Sequence, residues 1–278
     1  MQDASATAAR GAWRREPSTL VRRVANSPQS VPEPFAIIAQ SLCTTTPLEI
    51  EPHTHPQHEL VWVRGGTMTV QLEDRVVTVP DGYGVWIPAG AVHSGRTTTR
   101  TQLCDAYFEP ARSAAAFESA TVVEVTPLLG SLLTHLERGE LETPQRLRAE
   151  AVVFDVLAAA EQQFALQTPH ADRVDPIVAA LLEDPTDGRS LGEWAQLLGI
   201  SERTITRMFR AHTGLSFLQW RQVLRVHHSL SLIADGHAVN EVSLKLGYAQ
   251  PSTFIASFKR VMGITPGVYQ ARQRDTAE

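Results

Sequence analysis

Residues 190–214 read SLGEWAQLLGISERTITRMFRAHTG, two short amphipathic segments that meet at Gly199. A glycine permits a sharp turn between two helices, the small Ala195 lets those helices approach, and Ser201 is suited to cap the second helix. The spacing therefore predicts a helix-turn-helix unit whose second helix exposes a polar face. The candidate contact residues on that face are Arg203, Thr206, Arg207 and Arg210.

The same pattern recurs at 240–269 as NEVSLKLGYAQPSTFIASFKRVMGITPGVY, with Gly247 in the position of Gly199. One predicted helix, 216–236, joins the two copies. Two such units with this connection strongly resemble the DNA-binding domain of the AraC family of transcription regulators, over residues 174–272. The family's terminal G-x-[ST]-P-x-x-Y signature is present as Gly263, Thr265, Pro266 and Tyr269.

The resemblance implies double-stranded DNA as the partner, with the second helices of the two units in successive segments of the major groove. The first unit offers two arginines to the bases, where arginine binds guanine O6 and N7 with two hydrogen bonds. The candidate contacts of the second unit are Ser252, Ile255, Lys259 and Arg260. Ser252 and Ile255 distinguish base pairs weakly, whereas Lys259 and Arg260 suit phosphates. We therefore expect sequence specificity to lie mainly in the first unit.

The distribution of charge is consistent with a polyanion partner for the C-terminal third. The whole chain has a net charge of -5. Residues 173–274 hold 12 basic and 8 acidic side chains, whereas 1–172 hold 13 basic and 20 acidic ones. A basic region on an acidic chain favours an anionic partner for that region alone, although an excess of this size is also common on ordinary surfaces.

Residues 35–110 follow a different pattern, in which short apolar runs are broken by GG, ED, PDG and PAG. This pattern is typical of an antiparallel β unit. Residues 1–34 are interpreted as a flexible arm, 111–165 as a helical dimerisation segment and 166–173 as a linker. We therefore predict a multidomain β + α protein, with an N-terminal antiparallel β-barrel and a C-terminal all-α tandem helix-turn-helix domain at 174–272.

Two motifs in the β unit concentrate metal-binding side chains. EPHTHPQHELVWVRGG, residues 51–66, contains His53, His55 and Glu59, and GYGVWIPAGAVH, residues 82–93, ends in His93. Residues two apart on a strand share a face, so the first three side chains have matching parity, and His93 arrives from a neighbouring strand. Three imidazoles and a carboxylate suit a divalent transition metal such as Zn, Mn, Fe or Ni.

The spacings of both motifs resemble those of the cupin family, with Thr97 in the place of a frequent asparagine. The resemblance implies a cupin-like barrel over 35–110 with His53, His55, Glu59 and His93 as the metal ligands. One alternative stays open, in which these side chains line a pocket that binds an organic effector without metal.

The leucines of PLLGSLLTHLERG, residues 127–139, fall on one helical face. That face could join two copies of the chain into a homodimer, because repeated DNA half-sites favour association. It could also pack on its own barrel.

We expect a sequence-specific DNA-binding regulator controlled by a metal ion or small molecule sensed in the barrel, and not an enzyme. No apolar run approaches the roughly 20 residues of a membrane helix and no apolar signal segment opens the chain, so we expect a cytoplasmic location without membrane association. Two alternatives remain, a metal-dependent cupin enzyme of the oxygenase or isomerase type and a DNA-binding protein with a vestigial sensor.

Overall fold

The computed structural model describes residues 18–23, 30–113, 117–162, 164–169 and 171–275. Most of the predicted arm at 1–34 lies outside these residues. Within them the chain forms two compact units. The β-rich unit comprises 18–70 and 77–164, and the helical unit comprises 165–274 together with 71–76.

The β-rich unit contains two sheets. Its strands are β1 Leu20–Arg22, β2 Ile37–Thr44, β3 Leu48–His53, β4 His58–Arg64, β5 Thr67–Leu72, β6 Arg75–Pro80, β7 Tyr83–Ile87, β8 His93–Thr97, β9 Thr101–Phe108 and β10 Thr121–Glu124. One sheet has the order β1-β3-β8-β5-β6 and the other β10-β7-β4-β9-β2. The pairs β3–β8, β4–β7, β4–β9, β2–β9 and β7–β10 are antiparallel, and β1 pairs with β3 in parallel.

Two strands lie outside the range predicted for them. β1 falls in the predicted arm, and β10 falls in the segment predicted to be helical, where it pairs with β7. β10 has only four residues, and its Val122 and Val123 are both buried, so it lacks the alternation that identifies a strand in a sequence. A third short strand, β11 Ala165–Gln167, belongs to the helical unit and overlaps the predicted linker.

Two helices, α1 Pro127–Glu137 and α2 Thr143–Val156, complete the β-rich unit. The side chain of Thr126 caps α1 by accepting the Leu129 N–H. Leu129, Leu133 and Leu136 are buried in one core with Trp86 and Phe108 of the barrel, whereas Leu128 stays 54% exposed. Of the two roles considered for the leucine face, packing on its own barrel accounts for the three buried leucines.

The remaining helices form the helical unit, as predicted from Val174 onward. They are α3 Asp175–Glu183, α4 Leu191–Leu198, α5 Glu202–Thr213, α6 Phe217–Ala234, α7 Val239–Lys245, α8 Pro251–Met262 and α9 Pro266–Asp275. Gly199 has φ +64°, a left-handed conformation that ends α4 and turns the chain toward α5. The side chain of Ser201 accepts the Thr204 N–H and caps α5, and Ile205 and Phe209 anchor α5 in the core.

Among the described residues, no helix combines the length and apolar character needed to cross a membrane.

Candidate functional site

The pairing of β3 with β8 brings two of the predicted metal ligands together. His53 lies opposite His93 in the register, and their ring centroids are 4.2 Å apart. His55 follows the end of β3, and its ring centroid lies 5.1 Å from that of His93. All three side chains are buried, and one nitrogen of each lies within 4.8 Å of the other two. The structure thus forms a three-histidine group from residues up to 40 positions apart.

The opposite nitrogen of each ring contacts a backbone carbonyl. His53 Nδ1 lies 2.9 Å from Glu51 O, His55 Nδ1 lies 2.8 Å from Gln57 O, and His93 Nδ1 lies 3.0 Å from Ala91 O. A carbonyl oxygen only accepts hydrogen bonds, so each Nδ1 carries the hydrogen and donates it. In a neutral ring this leaves the Nε2 lone pair available to a metal, an arrangement that commonly orients histidine ligands.

Glu59 joins this group from β4. Its Oε2 lies 3.1 Å from the Nε2 atoms of both His55 and His93. Since both Nδ1 atoms are already donors, a neutral ring would direct its Nε2 lone pair at the carboxylate, which is unfavourable unless that ring is protonated or a cation lies between them. Ligands about 2.1 Å from a metal and at right angles to each other are about 3.0 Å apart, so the observed separation fits two neighbouring ligands of one ion.

The pKa shifts of Glu59 and His53 favour their metal-binding forms, whereas the pKa shift of His55 favours its protonated form. Burial alone would raise the pKa of Glu59, but hydrogen bonding to His55 and His93 outweighs burial and holds the pKa well below its usual range. Burial and the neighbouring His93 lower the pKa of His53. Burial is the largest influence on His55 and acts to lower its pKa, but the hydrogen bond and charge of Glu59, the Gln57 carbonyl and the charge of Asp105 together outweigh it, so that pKa is raised. The group therefore combines an ionised carboxylate with a histidine that favours its neutral, metal-binding form.

His58, between these ligands in the sequence, has a different role. Its Nδ1 accepts the Ala89 N–H at 3.1 Å, and its ring stacks on Trp86 at a centroid distance of 5.2 Å. These contacts direct the ring away from the three-histidine group and support the turn that precedes His93.

A cavity of about 390 Å³ in the β-rich unit extends from His53, His93 and Glu59. Its other polar or charged lining residues are Arg22, Arg23, Gln40, Ser94, Arg96, Thr97, Asp105 and Tyr107. Tyr107 pairs with Glu59 in the β4–β9 register, and burial together with the Glu59 charge raises the pKa of its phenol. Burial and Glu59 also raise the pKa of Asp105, to about 8.

Sequence reasoning missed Asp105 and Tyr107. The signal available for them is the alternation in QLCDAYF, residues 102–108, where an aspartate shares its parity with Leu103 and Tyr107 on an otherwise apolar strand.

The four predicted contacts of the first helix-turn-helix lie together on α5. Arg203, Arg207 and Arg210 are exposed and Thr206 is half-buried, whereas Ile205 and Phe209 lie on the opposite, buried face. Among the described residues, the side chains of the three arginines form no hydrogen bond or ion pair. Their guanidinium groups are thus available to an external partner.

The second unit presents a less basic surface. On α8, Ser252, Lys259 and Arg260 are exposed and Ile255 is half-buried. Arg260 donates to Gln222 Oε1 of α6 at 2.7 Å, which orients its guanidinium beside that helix. The two predicted recognition helices therefore differ in composition, as expected, and also in how far their arginines are already engaged.

Two further arginines of the helical unit are used internally. Arg221 donates to Arg189 O at 2.8 Å, and Arg225 donates to Pro185 O at 2.9 Å. Both bonds attach α6 to the loop before α4. These guanidinium groups stabilise the domain, so the candidate DNA contacts remain those on α5 and α8.

Two protein-family models match the chain. A cupin domain model matches residues 45–104, and a helix-turn-helix domain model matches residues 194–272. The two matches coincide with the barrel that holds the histidines and with the helices that carry the exposed arginines.

The proteins of similar sequence described next are named as transcriptional regulators. HTH-type transcriptional regulator NimR of Escherichia coli (strain K12) is 33% identical over 227 residues, which cover 79% of this chain and 82% of NimR. HTH-type transcriptional regulator RipA of Corynebacterium diphtheriae is 29% identical, over 76% of this chain and 59% of RipA. Among solved structures, the DNA-binding domain of AdpA in complex with a target DNA is 30% identical, covers 38% of this chain and 96% of that one, and has a TM-score of 0.36.

Proposed function

Because this chain belongs to the AraC family of helix-turn-helix transcription regulators, we propose that it binds a specific DNA sequence through α5 and α8 under the control of its cupin barrel. The observation that carries the proposal is the exposed face of α5, where three arginines have no partner among the described residues. Arg203 and Arg207, four positions apart, are suited to reach base edges, and Arg210 to reach the adjacent backbone.

The barrel holds a divalent transition metal of the group Zn, Mn, Fe or Ni. His53, His55 and His93 supply three Nε2 atoms, and Glu59 supplies a carboxylate oxygen. The ion neutralises the carboxylate and removes the repulsion between its oxygen and two imidazole lone pairs. The carbonyl contacts at each Nδ1 hold the rings in place for this role.

The protein acts as a homodimer in the cytoplasm, where its DNA target lies. Three leucines of α1 are already covered by the barrel, so any contact between copies must use the residues that remain exposed. On α1 and α2 these include Leu128, Leu147 and Val152. Sedimentation analysis should show a dimer that Leu128→Glu weakens, and a monomer at every concentration would contradict this part of the proposal.

The barrel acts as a sensor and not as an enzyme active site. The similar proteins are named as transcription regulators, and their similarity extends across both units of this chain. Turnover of a substrate that requires the bound metal and the histidines would contradict this assignment.

The experiment that tests the proposed function compares DNA binding by metal-loaded and metal-free full-length protein. A DNA site selected with the purified protein is titrated by fluorescence anisotropy under both conditions. Coupling between a ligand site and a second site is typically about 1 to 3 kcal/mol, so we expect the affinity to change by about 5- to 150-fold. Equal affinity under both conditions would show that the ion is not the signal.

A further inference from the structure

We infer that Asp105 recognises a hydrogen-bond donor of the effector, so that the effector is a small molecule with a metal-binding group at one end and an N–H group at the other. This inference rests on the proposed function of the barrel as a sensor. It assigns a role to a buried acidic residue that belongs neither to the proposed metal ligands nor to the DNA-binding surface.

Asp105 lies on the central strands of the barrel wall. In the register of β4, β9 and β2 it pairs with Val61 on one side and with Gln40 on the other. It has the same parity as Leu103 and Tyr107, and all three line the cavity that begins at the histidines. The carboxyl group is thus directed into the cavity from a strand with neighbours on both sides.

The carboxyl group is poorly satisfied for its degree of burial. Asp105 is only 7% exposed. Within the described part of the chain its carboxyl accepts one hydrogen bond, from Gln40 Nε2 at the long distance of 3.4 Å, and forms no ion pair. Buried polar groups almost always have good partners, and an unpaired one costs free energy. A donor on a bound molecule would supply the missing partner.

The surrounding charges allow this role. Arg22, Arg23 and Arg96 line the same cavity, and Glu59 lies near its histidine end. Arg23 is engaged with Glu51 at 2.8 Å, and Arg22 is an exposed residue whose charge acts on Asp105 without a hydrogen bond or ion pair to it. Among the described residues, none of these groups forms a hydrogen bond or an ion pair with the carboxyl of Asp105.

The geometry limits the size of the molecule. Asp105 and Tyr107 are two residues apart on one strand, a spacing of about 7 Å, and Tyr107 is level with Glu59. The cavity of about 390 Å³ lies near the lower end of the range for small-molecule pockets. Apolar side chains of Ile38, Val61, Val70 and Leu103 line the space between its polar groups. A short apolar or aromatic body with one polar group at each end fits these dimensions.

The test uses two probes of equal size, 4-aminobenzoate and 4-methylbenzoate. Both carry a carboxylate that binds a transition metal, and only the first carries N–H donors at the other end. Affinities for zinc-loaded full-length protein are measured by calorimetry. At neutral pH we expect 4-aminobenzoate to bind roughly 2- to 10-fold more tightly than 4-methylbenzoate, because the carboxyl of Asp105, with its raised pKa, is uncharged and accepts through its carbonyl oxygen, and a neutral hydrogen bond contributes about this much.

Asp105→Leu should abolish that preference while leaving binding of 4-methylbenzoate intact. Asp105→Asn, which keeps the shape and one acceptor, should retain part of the preference and guards against misfolding of the leucine variant. Asp155→Leu, at an exposed position of α2, is the control and should behave as wild type. A preference unchanged in both Asp105 variants would overturn the inference, as would failure of both probes to bind the wild type. If the proposed function were wrong, the affinity for DNA would instead be the same with and without a metal or ligand in the barrel.

Discussion

At the scale of single residues, a backbone carbonyl fixes the orientation of each ring in the three-histidine group. Replacing His55 by Ala removes one of the three proposed Nε2 ligands and one of the two histidine contacts to Glu59 Oε2. We expect wild-type protein purified without chelator to contain about one equivalent of a divalent transition metal and the variant to lose it. His135→Ala, at an exposed position of α1, should keep the metal. Elemental analysis that finds no stoichiometric metal in the wild type would refute the metal site.

Single arginines should divide the work of DNA recognition. Arg207→Ala is expected to cost about 1 to 3 kcal/mol at the cognate site and to relax discrimination at one base pair, because we propose that this exposed arginine on α5 contacts a base edge. Arg260→Ala should weaken binding to all sequences alike and reduce its salt dependence. Titrations over a range of salt concentrations test both statements. The division is wrong if Arg260→Ala changes sequence preference and Arg207→Ala does not.

At the scale of elements, α2 is attached to β2 by a buried carboxylate. Glu150 accepts the N–H groups of Ala36 and Ile37 at 2.9 and 3.3 Å, and Arg146 donates to Ile37 O at 2.7 Å. Glu150→Ala leaves both N–H groups and the Nε of Arg146 without their acceptor, while Arg146 keeps its bond to Ile37 O, and the loss should cost about 3 to 5 kcal/mol. Urea denaturation measures this loss. The exposed control Glu140→Ala should stay within about 0.5 kcal/mol of wild type, and equal midpoints for the two variants would disprove the attachment.

Helix α6 should make folding sensitive to pH through His227. Burial lowers the pKa of His227 to about 4, and its Nδ1 has no hydrogen-bond partner among the described residues. The unfolded chain binds this proton near pH 6.5 and the folded chain only near pH 4. The contribution of the neutral, buried His227 to the free energy of unfolding is therefore fully present above about pH 6.5. It decreases by about 3 kcal/mol as the pH falls to 4.

The His227→Leu variant isolates that contribution. Leucine cannot bind the proton, so the variant should lose less stability than wild type between pH 6.5 and 4, whereas the exposed control His212→Leu should follow the wild type. Parallel stability curves for wild type and His227→Leu would show that His227 is not the responsible group.

The elements also show where the sequence was informative. The helix-turn-helix units were predictable because Gly199, Ala195 and Ser201 each impose a local geometry that hardly depends on the rest of the fold. Strands β1 and β10 were missed because three or four residues contain no readable period. The positions of Asp105 and Gln40 in the cavity depend on the register of three strands, which no local pattern specifies.

At the scale of the whole molecule, one chain combines a cupin barrel with a tandem helix-turn-helix domain, as the motif spacings predicted. The structure brings His53, His55 and His93 together and exposes the three arginines of α5, and the metal and DNA roles assigned to these residues stay predictions. Sequence and structure differ on the leucines of α1, because three of these pack on the barrel and only part of that helix remains for another molecule. The central claim is that this chain reads a DNA sequence, mainly through α5.

Selection of binding sites from random DNA by the purified full-length protein tests that claim most directly. We predict one enriched motif whose information is concentrated in the half contacted by α5, and we predict that a variant with both Arg203→Ala and Arg207→Ala no longer enriches that half. Enrichment of no sequence, or of two equally informative blocks that survive the double substitution, would contradict the account.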